Sequence, residues 1–177
     1  MIHEILVYPN KILRETSKDV IHFDATLHEL LDDMYETMIT KEGIGLAAIQ
    51  IGVPQNVLII NLVNEEGLQK KENLYEIINP IIIEKNGSTV YQEGCLSVPG
   101  YYDEVSRAEH IKLRFYDRMG VMHEEEFSDL MAIAVQHEMD HLTGHLFIEK
   151  LSYLKRKKFE KEWKKSTKQV NSCGRSR

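Results

Sequence analysis

One segment, residues 129–143, constrains the whole fold because it is apolar on almost every side of a helix. Ser128 or Asp129 can cap its start, and Gly144 ends it. At 100° per residue, one face carries Leu130, Ile133 and Ala134, the opposite side carries Met131, Val135, Met139 and Leu142, and a narrow polar stripe carries Gln136, Asp140 and Thr143. Such a helix must be buried, so the rest of the chain has to surround it.

The same helix carries His137, Glu138 and His141 in the pattern His-Glu-x-x-His. Two histidines four residues apart lie on one helix face and can hold one metal ion, with the glutamate beside it to manage a bound water. The alternative is a core helix whose two histidines are merely hydrogen-bonded, because a pattern of five residues also arises by chance.

A catalytic site of this kind needs a third protein ligand. Position 147, where metzincin peptidases have a third histidine, is Phe147, and His145 lies past the helix end. Glu160 and Glu162 have suitable carboxylates but lie among lysines. Cys95, among small residues, offers a thiolate, which is a strong ligand for soft and borderline divalent ions. A small core residue is the alternative for this cysteine.

Residues 43–50, GIGLAAIQ, contain the spacing of a dinucleotide-binding fingerprint. That fingerprint needs a strand before it and a helix after it, whereas here a helix precedes and Pro54 follows soon after. The glycines instead predict a close approach of the backbone to a ligand, and Gln50 offers an amide donor.

Three blocks together resemble one family: GIGLAAIQ, EGCLS at 93–97, and HEMDHLTG from His137 onward. In this order and at these separations they look like peptide deformylase, over most of residues 1–150. The resemblance implies an enzyme that removes the N-formyl group from nascent polypeptides beginning with formylmethionine and releases formate. It also implies that Cys95, His137 and His141 ligate one divalent metal, ferrous iron (Fe2+) in cells, which Zn2+, Ni2+ or Co2+ can replace.

The resemblance further implies roles for the neighbouring residues. Glu138 would accept and deliver the proton, while the Gln50 amide and the Leu96 backbone N–H would stabilise the oxyanion. Gly45 and Gly94 would lie against the peptide substrate. The methionine side chain would enter a pocket lined by Ile44, Leu130, Ile133, Ala134 and the edge of His137.

The resemblance implies an α+β fold in which antiparallel sheets surround the central metal-binding helix and a basic helix comes last. Branched residues predict strands at 56–62, 75–84 and 110–117, which agrees with it. Turn residues predict a hairpin between the last of these and 121–127, and Pro80 predicts an interruption or an edge.

An earlier amphipathic helix is predicted to begin at a capping box, residues 26–29, and to end near Lys41. At 177 residues, one domain is expected. It would comprise a catalytic part at 1–151 and a basic helix and tail at 152–177, within the same domain or as an appendage.

Charge is divided unevenly along the chain. The net charge is −6, but residues 151–177 carry ten basic and two acidic side chains, which leaves −14 on the rest. A basic segment on an acidic body suits a surface of RNA phosphates, so the tail is predicted to bind the ribosome. A solvated terminal helix is the alternative.

The sequence argues against a membrane protein and against secretion. The longest apolar run is six residues, against about 20 for a membrane-spanning helix, and the N-terminus lacks a signal-peptide pattern. Two cysteines cannot form a disulfide framework. We therefore expect a cytoplasmic monomer with reduced thiols.

Two other functions would use the same helix. A peptidase that cleaves internal peptide bonds would take Glu160 or Glu162 as its third ligand. A structural metal site without catalysis would be closed by Cys173 as a fourth ligand, beside Cys95 and the two histidines.

Overall fold

The computed structural model describes the backbone of residues 1–173 and the side chains of residues 1–168. Its α-helices are α1 (Ala25–Thr40), α2 (Asp129–Leu142) and α3 (Tyr153–Cys173). Its strands are β1 (Gly45–Ala47), β2 (Val57–Ile60), β3 (Tyr75–Asn86), β4 (Thr89–Cys95), β5 (Val98–Arg107), β6 (His110–Tyr116) and β7 (Met122–Ser128). Short 3-10 helices occupy Lys11–Arg14, Ala48–Ile51, Lys71–Asn73 and Phe147–Lys150. Within the described residues, no helix has the length and apolar character to cross a membrane.

The strands form two antiparallel sheets. Five strands make the larger sheet, in the order β1-β2-β3-β6-β7, and β4 pairs with β5 as a separate hairpin. The predicted hairpin is confirmed as β6–β7, with His110 opposite Ser128. Pro80 lies within β3, and the register with β6 shifts between Ile78 and Ile81 because proline has no N–H to donate. The α+β class with antiparallel sheets is confirmed.

The β4–β5 hairpin was not predicted. Gly94, Pro99 and Gly100 interrupt the alternation that identifies a strand, and most side chains of both strands are exposed or half-buried. The pairing slips between Glu93 and Cys95, and this irregularity turns the end of β4 toward helix α2.

Helix α1 begins earlier than predicted. Asp24, and not Thr26, is the capping residue, and its carboxylate accepts a hydrogen bond from the Leu27 N–H at 3.2 Å. The prediction was wrong because a carboxylate two residues before the capping box satisfies the free amides of the first turn equally well. The helix buries Leu31 and Met34 in the core beside the large sheet.

Helix α2 is buried as its pattern requires. It packs against β1, β2, β6 and β7, and nine of its residues are buried, including both histidines and Glu138. The polar Gln136 is satisfied by hydrogen bonds with the Ala108 backbone at 3.1 and 2.9 Å. Gly144 ends the helix with φ +79°, where a Cβ atom would lie 2.3 Å from the Arg14 carbonyl oxygen. Only glycine fits there.

Helix α3 contributes one face to the core. Phe159 is 1% exposed, and its ring packs on Tyr8 and Tyr101 with ring centroids 5.5 and 4.6 Å apart. Trp163 follows one turn later and meets the edge of Tyr8. The outer face carries exposed lysines, and Lys155 reaches Asp103 on β5 at 3.0 Å. Removing this helix would therefore expose apolar surface as well as remove charge.

The burial of Phe159 predicts a stability effect. Phe159→Ala should lower the free energy of unfolding by about 3–5 kcal/mol, because it leaves a cavity among aromatic rings. Urea denaturation of the metal-loaded protein measures this. Leu154→Ala on the same helix is the control, since Leu154 is 77% exposed and should change stability by less than about 0.5 kcal/mol. Equal effects of the two changes would contradict the packing of α3.

Candidate metal centre and substrate cleft

Distant parts of the chain meet in a cluster of metal-ligand side chains. Cys95 ends β4, while His137 and His141 project from α2. One ligand atom of each lies within 4.8 Å of the other two, and Cys95 Sγ is 3.4 Å from His141 Nε2. Ligand atoms around a tetrahedral ion with bonds of ~2.0–2.3 Å are ~3.3–3.8 Å apart, so the cluster has the dimensions of a metal site.

The protonation of this cluster also suits a cation. Burial lowers the pKa of His141 well below its ordinary value, so its imidazole is neutral with a free lone pair. Burial also lowers the pKa of His137, but the Cys95 thiol and the Glu93 carboxylate outweigh it and raise that pKa well above normal. A site that draws a proton onto His137 stabilises positive charge. His141 Nδ1 and Glu138 Oε2 are buried without a hydrogen-bond partner among the described residues.

A buried ion-pair network holds His137 in place. Its Nδ1 lies 2.7 Å from Glu93 Oε1, which leaves Nε2 to face the cluster. Glu93 accepts two hydrogen bonds from the Arg107 guanidinium, and Arg107 also donates to Asp140 at 2.9 Å. Such partners fix the tautomer and orientation of a ligating histidine. Burial raises the pKa of Glu93, but its bonds from His137 and Arg107 outweigh this and hold it below normal.

Sequence reasoning missed this network. Glu93 belongs to the segment 93–97, but its sequence position predicted no role for it. Nothing in the sequence singled out Arg107. Neither has a local signal, because the partners come from β4, β5 and α2. Their side chains are 4% and 3% exposed, whereas glutamate and arginine are almost never fully buried unless they are paired.

Glu138 lies between the two histidines. Its carboxylate oxygens are each 4.0 Å from one imidazole Nε2, and burial raises its pKa to about 7. A Cβ atom on Gly45 would lie 2.7 Å from Glu138 Oε1. The close approach at Gly45 in this structure is therefore to the Glu138 side chain, for which glycine leaves room.

Gln50 is anchored with its amide nitrogen facing the cluster. It lies in the 3-10 helix Ala48–Ile51, and its Oε1 accepts a hydrogen bond from the Ala47 N–H at 2.9 Å. Its Nε2 donates to Ser97 Oγ at 3.1 Å and points toward Cys95 Sγ at 3.5 Å. The anchored oxygen fixes the orientation of the amide, so that one N–H donates to Ser97 and the nitrogen faces Cys95 at the cleft.

A cleft of about 410 Å³ opens over this cluster. Its lining includes every residue predicted for the site except His141, namely Ile44, Gly45, Gln50, Gly94, Cys95, Leu96, Leu130, Ile133, Ala134, His137 and Glu138. His141 is fully buried beneath them. Gly94 packs under the ring of Tyr102, where a Cβ atom would lie 2.3 Å from the ring. Leu130, Ile133 and Ala134 form one apolar wall, as helical periodicity predicts.

The other candidate ligands lie elsewhere. Glu160 pairs with Arg156 at 3.6 Å, and His145 pairs with Glu149 at 2.8 Å. Phe147 is buried beside the His137 ring. The side chain of Cys173 lies outside the described residues. Among those that are described, Cys95 and the two histidines form the group suited to a metal.

Comparisons with known proteins identify the family of this chain. The family model described as polypeptide deformylase matches residues 2–157. The chain belongs to the peptide deformylase family. A peptide deformylase of Helicobacter pylori (strain HPAG1) is 60% identical over 166 residues, covering 94% of this chain and 95% of its own. The crystal structure of a Legionella pneumophila peptide deformylase covers 100% of both chains, with 39% identity and a TM-score of 0.89.

A third relative was crystallised with a peptide. The Met-Ala-Ser-bound structure of a class I type b peptide deformylase from Acinetobacter baumannii is 31% identical, with a TM-score of 0.79, and covers 85% of this chain and 99% of its own. The chain is thus a hydrolase of protein biosynthesis that removes the N-formyl group from nascent polypeptides. The family uses a metal, and Cys95, His137 and His141 are the side chains that could hold it here.

The Glu93 network predicts an effect on metal affinity. Glu93→Gln should weaken zinc binding by ~10–100-fold, because a neutral amide polarises and orients His137 less well. Competition with a chromophoric chelator measures the affinity. Glu104→Gln, an exposed change on the neighbouring strand, is the control and should leave affinity unchanged. Unaltered zinc affinity in Glu93→Gln would show that the carboxylate does not support the metal.

The raised pKa of Glu138 predicts a pH dependence of stability in the metal-free protein. Because the folded state holds this proton from the ordinary pKa of 4.5 up to about 7, the stabilisation is complete below that window and is lost as pH rises through it. Relative to Glu138→Gln, the wild type should lose up to about 1.4 kcal/mol of unfolding free energy per pH unit there. Urea denaturation at several pH values measures the unfolding free energy of both proteins. If the two free energies change with pH in parallel, the pKa of Glu138 is not raised.

Proposed function

We propose that Cys95, His137 and His141 hold one divalent metal, Fe2+ in cells, and that Zn2+, Ni2+ or Co2+ can take its place. The observation that carries this is the convergence of three ligand atoms within 4.8 Å beside a buried glutamate. A thiolate with two imidazoles suits each of these borderline ions. When bound, the ion would polarise the formyl carbonyl and lower the pKa of a water molecule to ~7.

Glu138 transfers the proton in this proposal. Its carboxylate is buried, lies 4.0 Å from both imidazoles and has a pKa of about 7. It can therefore accept a proton from the attacking water near neutral pH and return it to the departing amine. The free amine and formate are then the two products.

Gln50 and Leu96 stabilise the oxyanion that develops on the formyl oxygen. The Gln50 amide is held by Ala47 and Ser97 and presents its nitrogen beside Cys95. Leu96 follows Cys95 directly, and both line the cleft, which supports its backbone N–H as the second donor. Donors fixed before the reaction need no reorganisation as charge develops.

The methionine side chain of the substrate lies against the apolar wall of the cleft in this proposal. Ile44, Leu130, Ile133 and Ala134 carry no charge there, and the edge of His137 completes the pocket. Gly45 and Gly94 line the cleft, and the peptide backbone runs past them in this proposal. Their lack of a side chain leaves room for Glu138 and for the Tyr102 ring, respectively. The related Acinetobacter baumannii enzyme with Met-Ala-Ser bound supports a peptide with an N-terminal methionine as the ligand.

Replacing individual residues tests this division of roles. Glu138→Gln should keep the metal and reduce formate release from a formyl-Met peptide by ~10²–10⁴. Gln50→Ala should keep the metal and lose ~10²–10³ in turnover, the usual cost of one oxyanion donor. Cys95→Ala, His137→Ala and His141→Ala should lose metal and activity together.

Metal analysis of protein purified without oxygen separates these outcomes and identifies the native ion. A metal-free Glu138→Gln protein would refute the proton-transfer role. A metal-free Gln50→Ala protein would mean that the amide supports the ligands and not the oxyanion.

We further propose that a cytoplasmic monomer is the working form, with residues 1–151 as its catalytic part and the basic segment 152–177 as a ribosome-binding surface. At 100° per residue, Lys161, Lys164 and Lys168 lie on the face of α3 opposite Phe159, and all three are exposed. This face is free to contact RNA phosphates while the inner face stays packed.

Charge substitution tests the ribosome contact without unpacking the helix. Lys161→Gln/Lys164→Gln/Lys168→Gln should keep turnover of a short formyl-Met peptide and weaken co-sedimentation with ribosomes. The slope of log affinity against log salt should flatten by about 0.7–0.9 per lost phosphate contact. A triple change of other exposed lysines, Lys11, Lys18 and Lys41, controls for net charge. If both triple variants co-sediment with ribosomes equally well, the lysines of α3 only keep the helix solvated.

A further inference from the structure

A second cleft, of about 540 Å³, lies on the side of α2 away from the substrate cleft. Its walls come from the β3–β4 turn, the end of β5, the Gln136–Thr143 face of α2 and the 3-10 helix Phe147–Lys150. The size is in the range of small-molecule sites. It shares no residue with the lining of the substrate cleft, so binding of the formylated peptide does not account for it.

The charge of this cleft is opposite to that of the protein as a whole. Lys85, Arg107 and Lys150 line it, and Asp140 is the one carboxylate in the lining. Asp140 is already engaged by Arg107 at 2.9 Å and by Lys150 at 3.7 Å. Lys85 is exposed and makes no ion pair within 4 Å to any carboxylate of the described residues. The four charged side chains of the lining sum to +2, and Glu93 pairs with Arg107 from outside the lining. Lys85 is therefore the cation of the cleft that no carboxylate of the described residues offsets.

The cleft also offers a hydroxyl donor. Ser88 lies just before β4 and Ser106 lies on β5; their Oγ atoms are 3.1 Å apart, and both residues line the cleft. Their mutual hydrogen bond uses one of two hydroxyl hydrogens, which leaves the other free to donate. Lysine ammonium groups with a hydroxyl donor are the partners of a phosphate oxyanion.

We propose that this cleft binds a small molecule carrying a phosphate monoester. A dianion matches the two lysines, and the rest of the cleft has space for the attached group. Glu109 lies beside Gly87 at the edge of the cleft, since a Cβ atom on Gly87 would be 3.0 Å from its carboxylate. That carboxylate repels an extended RNA backbone with many phosphates more than it repels one compact ligand.

Titration of the zinc-loaded protein followed by ¹⁵N NMR tests the site. The probes are inorganic phosphate and glycerol 3-phosphate, at constant ionic strength set with sodium chloride. We expect saturable shifts of the Gly87, Ser88 and Ser106 amides. Lys85→Gln/Lys150→Gln should raise the dissociation constant at least about tenfold, because each lysine makes a charge-assisted hydrogen bond.

Two further variants keep the test decisive. Lys85→Gln alone cannot disturb the Asp140 pairs, and it should weaken binding by about threefold. Lys11→Gln/Lys18→Gln lowers the net charge equally and should leave binding unchanged. The proposal is overturned by shifts that do not saturate, by equal affinity in all variants, or by shifts confined to Gly45 and Leu96, which would place phosphate at the metal. Saturation of the cleft by a short RNA but not by glycerol 3-phosphate would also overturn it.

Discussion

The site depends on the hydrogen bonds that the buried Glu93 carboxylate accepts. It joins three elements, because it accepts hydrogen bonds from Arg107 at the end of β5 and from His137 on α2 while it lies on β4 itself. A buried charge without partners is very costly, so the three elements are held in one register. The same contact turns the His137 imidazole so that its second nitrogen meets Cys95 and His141. The Glu93 carboxylate therefore both joins three elements of the fold and orients a candidate metal ligand.

The sequence predicts the parts of this molecule that depend on local spacing. Helix α2, its burial, its histidine pair and the apolar wall from Leu130 to Ala134 follow from a period of 3.6 residues. Other parts depend on which strands become neighbours, and no window of sequence contains that information. The Arg107–Glu93 pair and the β4–β5 hairpin belong to this second group. The predicted Thr26 cap failed for a different reason, because Asp24, two residues earlier, offered an equivalent cap.

Helix α2 separates two solvent-facing clefts of opposite character. One face, with Ile133 and Ala134, lines the cleft over Cys95 and His137, and another, with Asp140, lines the second, polar cleft. Arg107 is the side chain that connects them, since it bonds to Asp140 on one side and to the Glu93–His137 pair on the other. Helix α2 can form a wall of both clefts because its buried residues hold it in the core.

The position of Phe159 has a consequence for biogenesis. The cluster around Tyr8 and Tyr101 joins residues near the start of the chain to a helix that begins only at Tyr153. Synthesis proceeds from the N-terminus, so the catalytic elements emerge while this part of the core still lacks its ring. The enzyme that processes other chains during their translation can thus complete its own aromatic core only after helix α3 has been translated.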